Sequence, residues 1–173
     1  YEAAANVALL LSNVLQNTPE SDVIGLKYLD MPGPAAGNIP SMNTQSFREY
    51  CVQGGSSTVK QSNGVYEIVD LITTYNNSGE LPPYYRWVRD LFIYFNYKYG
   101  YRLLENTYLL GVALLPDNAK TQSVNVMKPK MWKALVAQYN KSCEARALLV
   151  NVDANNASIT VTIGTGSNPG RMD

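Results

Sequence analysis

The sequence predicts an α/β fold in the broad sense (α+β), in which a mixed, partly antiparallel sheet packs against two long amphipathic helices. An Asn63-Gly64 pair between two runs of strand-forming residues indicates a hairpin. Two long segments place apolar residues at helical spacing. Residues 158–163 alternate apolar and polar side chains, as a half-exposed strand does. We expect the sheet to combine residues 65–75 with two strands near the end of the chain.

The first 41 residues predict a helix, a short strand and a long loop. The helix should end by Thr18-Pro19, and residues 23–29 suit a short strand. Residues 31–40 contain three prolines and two glycines, which predict a loop without regular structure. The apolar stripe of the helix consists of Val7, Leu10, Leu11, Val14 and Leu15.

A short helix and the hairpin follow the loop. Residues 41–44 offer N-cap side chains to a helix that the Gly54-Gly55 pair should end. Residues 58–60 and 65–75 are predicted to pair as strands, because Asn-Gly is the strongest short hairpin signal.

Two long helices are predicted in the second half of the chain. Pro82 and Pro83 suit the first turn of one, and Gly100 within it should mark a close packing point, since glycine costs about 1 kcal/mol relative to alanine. The first has apolar residues at Val88, Leu91, Phe92, Phe95, Tyr99 and Leu103. The second opens at Lys128-Pro129, runs to about Ala147, and has one face formed by Trp132, Leu135, Val136, Tyr139 and Cys143.

The end of the chain is predicted to be β-structure. Residues 148–152 and 158–163 suit two strands separated by a polar turn. A length of 173 residues fits one domain with a hydrophobic core. We therefore predict a single domain over residues 1–173, in which the region 1–41 precedes a core of 42–173.

The composition limits the partners of the chain. Hydrophobic residues make up 46% and charged residues 16%, below the usual quarter, so we expect partners to cover part of the surface. Fourteen basic and fourteen acidic residues cancel, which argues against nucleic acid or an anionic membrane. No apolar run approaches the roughly 20 residues that span a bilayer, so we expect no membrane insertion. The chain lacks an initiator methionine, from which we expect it to begin within a longer protein.

The sequence argues against catalysis. It contains no histidine, the commonest general base. Tyr94 and Lys98 match the Tyr-x-x-x-Lys spacing of short-chain dehydrogenases, but no glycine-rich turn precedes them to hold a dinucleotide. We predict that the chain is not an enzyme and has no catalytic residue, cofactor site or metal site. We expect Cys51 and Cys143 to be reduced, buried thiols.

The first long helix and the residues just before it carry aromatic side chains all round, more than one core face can absorb. A protein interface would use this surplus, and the alternative is a purely internal core role. The candidate interface residues are Tyr84, Tyr85, Trp87, Tyr94 and Tyr97.

Three motifs occur in a recognisable order. A segment Gly54-Gly-Ser-Ser-Thr-Val59 leads into the hairpin, whose second strand ends in Asp70-Leu-Ile-Thr-Thr-Tyr75. An aromatic and arginine run follows in Tyr84-Tyr-Arg-Trp-Val-Arg-Asp-Leu-Phe-Ile-Tyr94. With the helix from Pro129 and the closing Asn168-Pro-Gly-Arg171, this order resembles the C-terminal portion of contractile phage tail sheath proteins, especially the Mu-like family. The resemblance covers residues 42–173.

The resemblance implies a structural subunit of a contractile tail, located in a virion tail or another contractile particle and assembled in the bacterial host cytoplasm. Copies of the chain would form a helical sheath around an inner tail tube protein, with baseplate and tail terminator proteins at its ends. Contraction would drive penetration of the target cell envelope. The alternative is a non-catalytic adaptor module that binds one partner through the aromatic helix.

Sheath-like proteins are also expected to link subunits by adding a strand to a neighbour's sheet. The last predicted strand suits this role because it lies near the end of the chain. The equally weighted alternative is an ordinary internal strand. The residues of this candidate are Ser158, Ile159, Thr160, Val161, Thr162 and Ile163.

Overall fold

The structure, a computed structural model, describes residues 2–18, 20–21, 23–28, 39–75, 83–164 and 172. These residues form a mixed α+β fold with one antiparallel and one parallel sheet, both small, which confirms the predicted class. The chain divides into two compact units, Tyr1–Phe95 and Asn96–Asp173. The single domain expected from the sequence stays a prediction.

The first unit is built on a three-stranded antiparallel sheet with the order β1-β3-β2. Its strands are β1 (Lys27–Tyr28), β2 (Thr58–Ser62) and β3 (Val65–Asp70). Its helices are α1 (Glu2–Asn17), α2 (Ile39–Asn43), α3 (Gln45–Gln53), α4 (Pro83–Arg86) and the start of α5 (Val88–Tyr108). Tyr66 and Ile68 of β3 form the buried centre of this unit, and Val7 and Leu10 of α1 pack against them.

The hairpin predicted at Asn63-Gly64 is confirmed. Both residues have positive φ angles, 53° and 78°, as a two-residue type I′ turn requires. The second strand ends at Asp70, before the predicted end at Tyr75. Beyond it, Ile72 pairs with Trp87 in an isolated antiparallel bridge at the break between α4 and α5. The chain at Trp87 therefore continues the hydrogen bonding of the sheet where a regular strand stops.

The start of the chain follows the prediction in part. Helix α1 is confirmed, whereas the predicted strand at residues 23–29 is reduced to the two residues of β1. Most of the predicted loop, residues 31–38, lies outside the described residues. The loop prediction is wrong for Ile39 and Pro40, which begin α2. Proline is tolerated there because the first N–H groups of a helix have no intrahelical partner.

The second unit places helices around a short parallel strand pair. It contains the rest of α5, β4 (Ala113–Leu114), β5 (Val126–Met127), α6 (Pro129–Ala145) and α7 (Val152–Ser158). Helix α6 is confirmed, and its buried face is formed by Trp132, Val136, Asn140 and Cys143. Cys51 and Cys143 are free thiols, the first half-buried and the second buried.

The prediction of two strands near the end of the chain is wrong. Residues 148–151 have no strand, and α7 occupies the predicted polar turn. Residues 159–162 have no regular secondary structure, and Ile163 forms only an isolated bridge with Met172. Ile159 and Val161 in this segment pack against a cluster formed by Met127 of β5 and by Trp132 and Val136 of α6. The predicted single sheet is therefore replaced by two separate small sheets.

The close packing point predicted at Gly100 is confirmed. A Cβ atom at this position would overlap the Tyr139 hydroxyl and lie 3.1 Å from its Cζ atom. The hydroxyl cannot move aside without cost, because it donates a 2.8 Å hydrogen bond to the Tyr97 carbonyl. Glycine at position 100 thus leaves the space beside α5 that the Tyr139 side chain of α6 occupies.

Gly100→Ala should lower the free energy of unfolding by about 1–2 kcal/mol, because overpacking outweighs the roughly 1 kcal/mol gain in helix propensity. Tyr139→Phe alone should cost about 1 kcal/mol through the lost hydrogen bond. The double variant should be less destabilised than the sum of the two, since phenylalanine lacks the overlapping hydroxyl. Urea denaturation of the four proteins tests this, and strict additivity would contradict the described packing.

Candidate interaction surface

Two exposed tyrosines of the first unit form one part of the aromatic surface. The rings of Tyr75 and Tyr85 lie 5.9 Å apart, and Tyr85 is 47% exposed. They line an open groove together with Thr73, Thr74 and Leu91. Thr73 positions this end of the groove, since its hydroxyl donates to the Tyr85 carbonyl at 2.6 Å. The two rings thus border a shallow, open part of the surface.

Tyr94 and Phe95 form the other part of the aromatic surface. They are neighbours in α5, with ring centroids 5.8 Å apart, and are 51% and 55% exposed. Every residue of α5 is described, and none of its 21 residues is buried. The part of α5 in the second unit packs on the core of that unit through the half-buried Tyr101 and Leu104. We call Tyr75, Tyr85, Tyr94 and Phe95 the aromatic surface.

The other three predicted interface residues are not among the exposed rings described above. Trp87 is half-buried at the sheet bridge, with the Arg86 guanidinium 6.0 Å from its ring centroid. Tyr84 belongs to α4, and its side chain lies outside the described residues. Tyr97 lies in the second unit, where its half-buried side chain takes part in internal packing. Tyr85 and Tyr94 are the two predicted residues that the structure places on the aromatic surface.

The internal role of Tyr97 depends on a buried amide network. Its hydroxyl donates to Asn140 Oδ1 at 2.9 Å, and Asn140 Nδ2 donates to Asn156 Oδ1 at 2.8 Å. Asn156 Nδ2 in turn donates to the Ala137 carbonyl at 3.3 Å, which connects α7 to α6. Sequence reasoning missed this network. The available signal was a polar Asn140 one turn beyond Val136 on the apolar face of α6.

Tyr97 and Tyr139, which lie close together in the second unit, are harder to ionise than a tyrosine in water. Burial, followed by the proximity of Cys143, raises the pKa of Tyr97 above its usual 10.0. Burial also raises the pKa of Tyr139, and its hydrogen bond with Cys143 adds to the rise. Desolvation acts in this direction because it disfavours the phenolate. The folded chain therefore holds these phenols neutral at a pH where the unfolded chain ionises them.

For this reason, the free energy of unfolding should decrease at alkaline pH. The folded pKa values are raised, so the contribution of these tyrosines is fully present below about pH 10 and is lost as the pH rises through the folded values. We expect the stability difference between the unmodified protein and Tyr139→Phe to narrow from pH 8 to pH 11. Urea denaturation across this range measures it, with Tyr50→Phe on the exposed face of α3 as control. A difference that stays constant contradicts the raised pKa of Tyr139.

The segment proposed for strand addition is attached to the second unit. Ser158 ends α7, and the Ile159 carbonyl accepts a 2.6 Å hydrogen bond from Lys133 Nζ. Ile159 and Val161 pack against the cluster that contains Trp132. The two threonines between the apolar residues, Thr160 and Thr162, are exposed. The side chains of this segment thus alternate between packed and exposed as they would in a strand, but the segment does not form a strand.

Within the described ranges, no three Cys, Asp or Glu side chains are grouped in an arrangement suited to a metal ion. Among the same residues, no helix combines the length and the apolar character that crossing a membrane requires. Comparison with protein-family models and with curated proteins finds no match for this chain. The family that the sequence resembles therefore stays a prediction.

Proposed function

We propose that this chain is a structural subunit of a contractile tail sheath, which polymerises around an inner tube and shortens to drive penetration of a cell envelope. The observation that carries the proposal is the pair of adjacent exposed aromatic rings on α5, Tyr94 and Phe95. Large exposed apolar groups on a folded protein mark interaction sites. A subunit that is enclosed by neighbours on several sides needs such surfaces.

The charge balance and the sequence motifs support the same proposal. A net charge of zero with only 16% charged residues leaves no long-range repulsion between identical subunits. The motifs from Gly54 to Tyr94 follow the order found in tail sheath proteins. The partners of the chain are then further copies of itself, the inner tube protein, and the baseplate and terminator proteins at the two ends of the tail.

Contraction in this proposal is a change between two packings of the same subunits. Open helical assembly requires heterologous interfaces, in which one surface of a subunit meets a different surface of the next. A lower free energy of the shortened lattice drives the transition, and no nucleotide is consumed. The aromatic surface suits a sliding contact, because aromatic side chains bury a large area without demanding one hydrogen-bonding geometry.

The structure changes the expected role of residues 158–163 in assembly. Addition of this segment to a neighbour's sheet would first require Ile159 and Val161 to leave the core of the second unit. It would also break the hydrogen bond from Lys133 to the Ile159 carbonyl. These losses disfavour strand addition by a free subunit, so we place the first contacts between subunits at the aromatic surface.

The groove between Tyr75 and Tyr85 favours an adaptor as the second candidate function. A shallow, open groove bordered by two aromatic rings suits a single extended partner segment. Sedimentation of the full-length protein over a concentration series separates the two functions. A sheath subunit should form large polymers above a threshold concentration, whereas an adaptor should remain monomeric and bind one partner stoichiometrically. Monomers at every concentration would contradict the sheath proposal.

A further inference from the structure

Strand β2 lies at an edge of the sheet of the first unit, because the strand order is β1-β3-β2. Gln61 of β2 lies opposite Tyr66 of β3. In an antiparallel pair, the N–H and C=O of one residue point to the same side, and successive residues alternate between the partner strand and the free edge. Gln61 directs both of its backbone groups to the free edge, since both are bonded to a residue outside the sheet.

That residue is Asn43, the last residue of α2. Its Nδ2 atom donates to the Gln61 carbonyl at 2.8 Å, and its Oδ1 atom accepts from the Gln61 N–H at 2.9 Å. The carboxamide thus presents one donor and one acceptor, as a peptide group of a neighbouring strand would. The side chain occupies the position where a further strand would add to β2.

The backbone around Asn43 is held in place by three further hydrogen bonds. Arg48 Nη1 donates to the carbonyl of Asn43 at 2.7 Å and to that of Met42 at 3.2 Å. The Thr44 hydroxyl donates to the Ser41 carbonyl at 2.7 Å. Met42 packs against the buried cluster of Tyr66 and Ile68. The carboxamide is therefore positioned by the fold and does not lie by chance against the strand.

We propose that Asn43 is an edge-blocking residue, which prevents β2 from pairing with β2 of a second copy of this chain. An exposed strand edge is a template for pairing between molecules, and folded proteins block such edges by covering them. The partner that Asn43 excludes is a second copy, because two β2 edges present the same donors and acceptors and can pair antiparallel about a two-fold axis. This inference does not depend on the sheath proposal.

Asn43→Ala should free both backbone groups of Gln61 without disturbing the core, since Asn43 is a surface residue. At concentrations where the unmodified protein is monomeric, amide hydrogen exchange at Gln61 should become at least tenfold faster. At higher concentration, sedimentation velocity should show dimers that the unmodified protein lacks. Ser46→Ala, an exposed position on α3, is the matched control and should change neither measurement.

A second variant tests whether the new dimer uses this edge. Gln61→Pro in the Asn43→Ala background removes the N–H that pairs with a second copy, and it leaves the bonds to β3 in place. We expect the double variant to be monomeric. Unchanged exchange and association in Asn43→Ala, or dimers that persist in the double variant, would overturn the proposal.

Discussion

Trp132→Ala should destabilise the protein by about 3–5 kcal/mol, the range observed when a buried aromatic residue is truncated to alanine. Trp132 is 3% exposed and packs between Met127 and Val136 in the core of the second unit. Its ring also meets Tyr101 edge-on, with centroids 6.0 Å apart. The large cost follows because removal of the indole ring would leave a cavity in this core.

Urea denaturation followed by circular dichroism measures this loss. Met131→Ala is the matched control, because Met131 precedes Trp132 in α6 and is 49% exposed. We expect the control to cost less than about 1 kcal/mol, as surface substitutions do. A Trp132 variant no less stable than the Met131 variant would mean that this core is not formed as described.

Phe95→Glu should weaken assembly by at least tenfold in threshold concentration, which corresponds to about 1.4 kcal/mol per subunit. Phe95 is more than half exposed and meets Tyr94, so a free subunit should tolerate the change. Within an interface, however, the carboxylate would be buried without a partner. Assembly should therefore be lost while the free energy of unfolding changes little.

The control for this variant is Tyr50→Glu, on α3. Tyr50 is 74% exposed and is not part of the aromatic surface, so the substitution adds the same charge elsewhere in the first unit. Sedimentation at several concentrations compares the two variants with the unmodified protein. If Phe95→Glu and Tyr50→Glu assemble at the same threshold concentration, Phe95 does not lie in the interface between subunits.

The sequence predicted those parts of the fold that are determined by residues close together in the chain. The hairpin follows from Asn63-Gly64, whose backbone angles are set within the turn itself. Helix α6 follows from five apolar residues at helical spacing after Pro129. Gly100 indicates a packing point because glycine inside a helix costs about 1 kcal/mol relative to alanine, and Tyr139 fills the space beside it.

The errors arose where distant parts of the chain decide the structure. Six alternating residues at 158–163 show which side is buried but not what covers it, and here Met127 of β5 covers it together with Trp132 and Val136 of α6. Helix α7 was missed because its Asp, Asn and Ser residues are also typical of turns. The two-residue strands β4 and β5 are too short to leave any pattern.

The candidate surface was predicted only in part, for a related reason. A surplus of aromatic residues indicates that some must lie outside the core, but it does not say which ones. Tyr97 is drawn inwards by Asn140, 43 residues away in the chain, whereas Tyr94 remains exposed one turn earlier. Asn43 was also missed, because its function depends on the position of Gln61 in the folded sheet.

The measurement that tests the central claim most directly is negative-stain electron microscopy of the full-length protein, purified and concentrated. The sheath proposal predicts tubes or stacked rings of regular width, which the Phe95→Glu variant should fail to form under the same conditions. Dispersed particles of subunit size at every concentration, with both the unmodified protein and the variant, would contradict it.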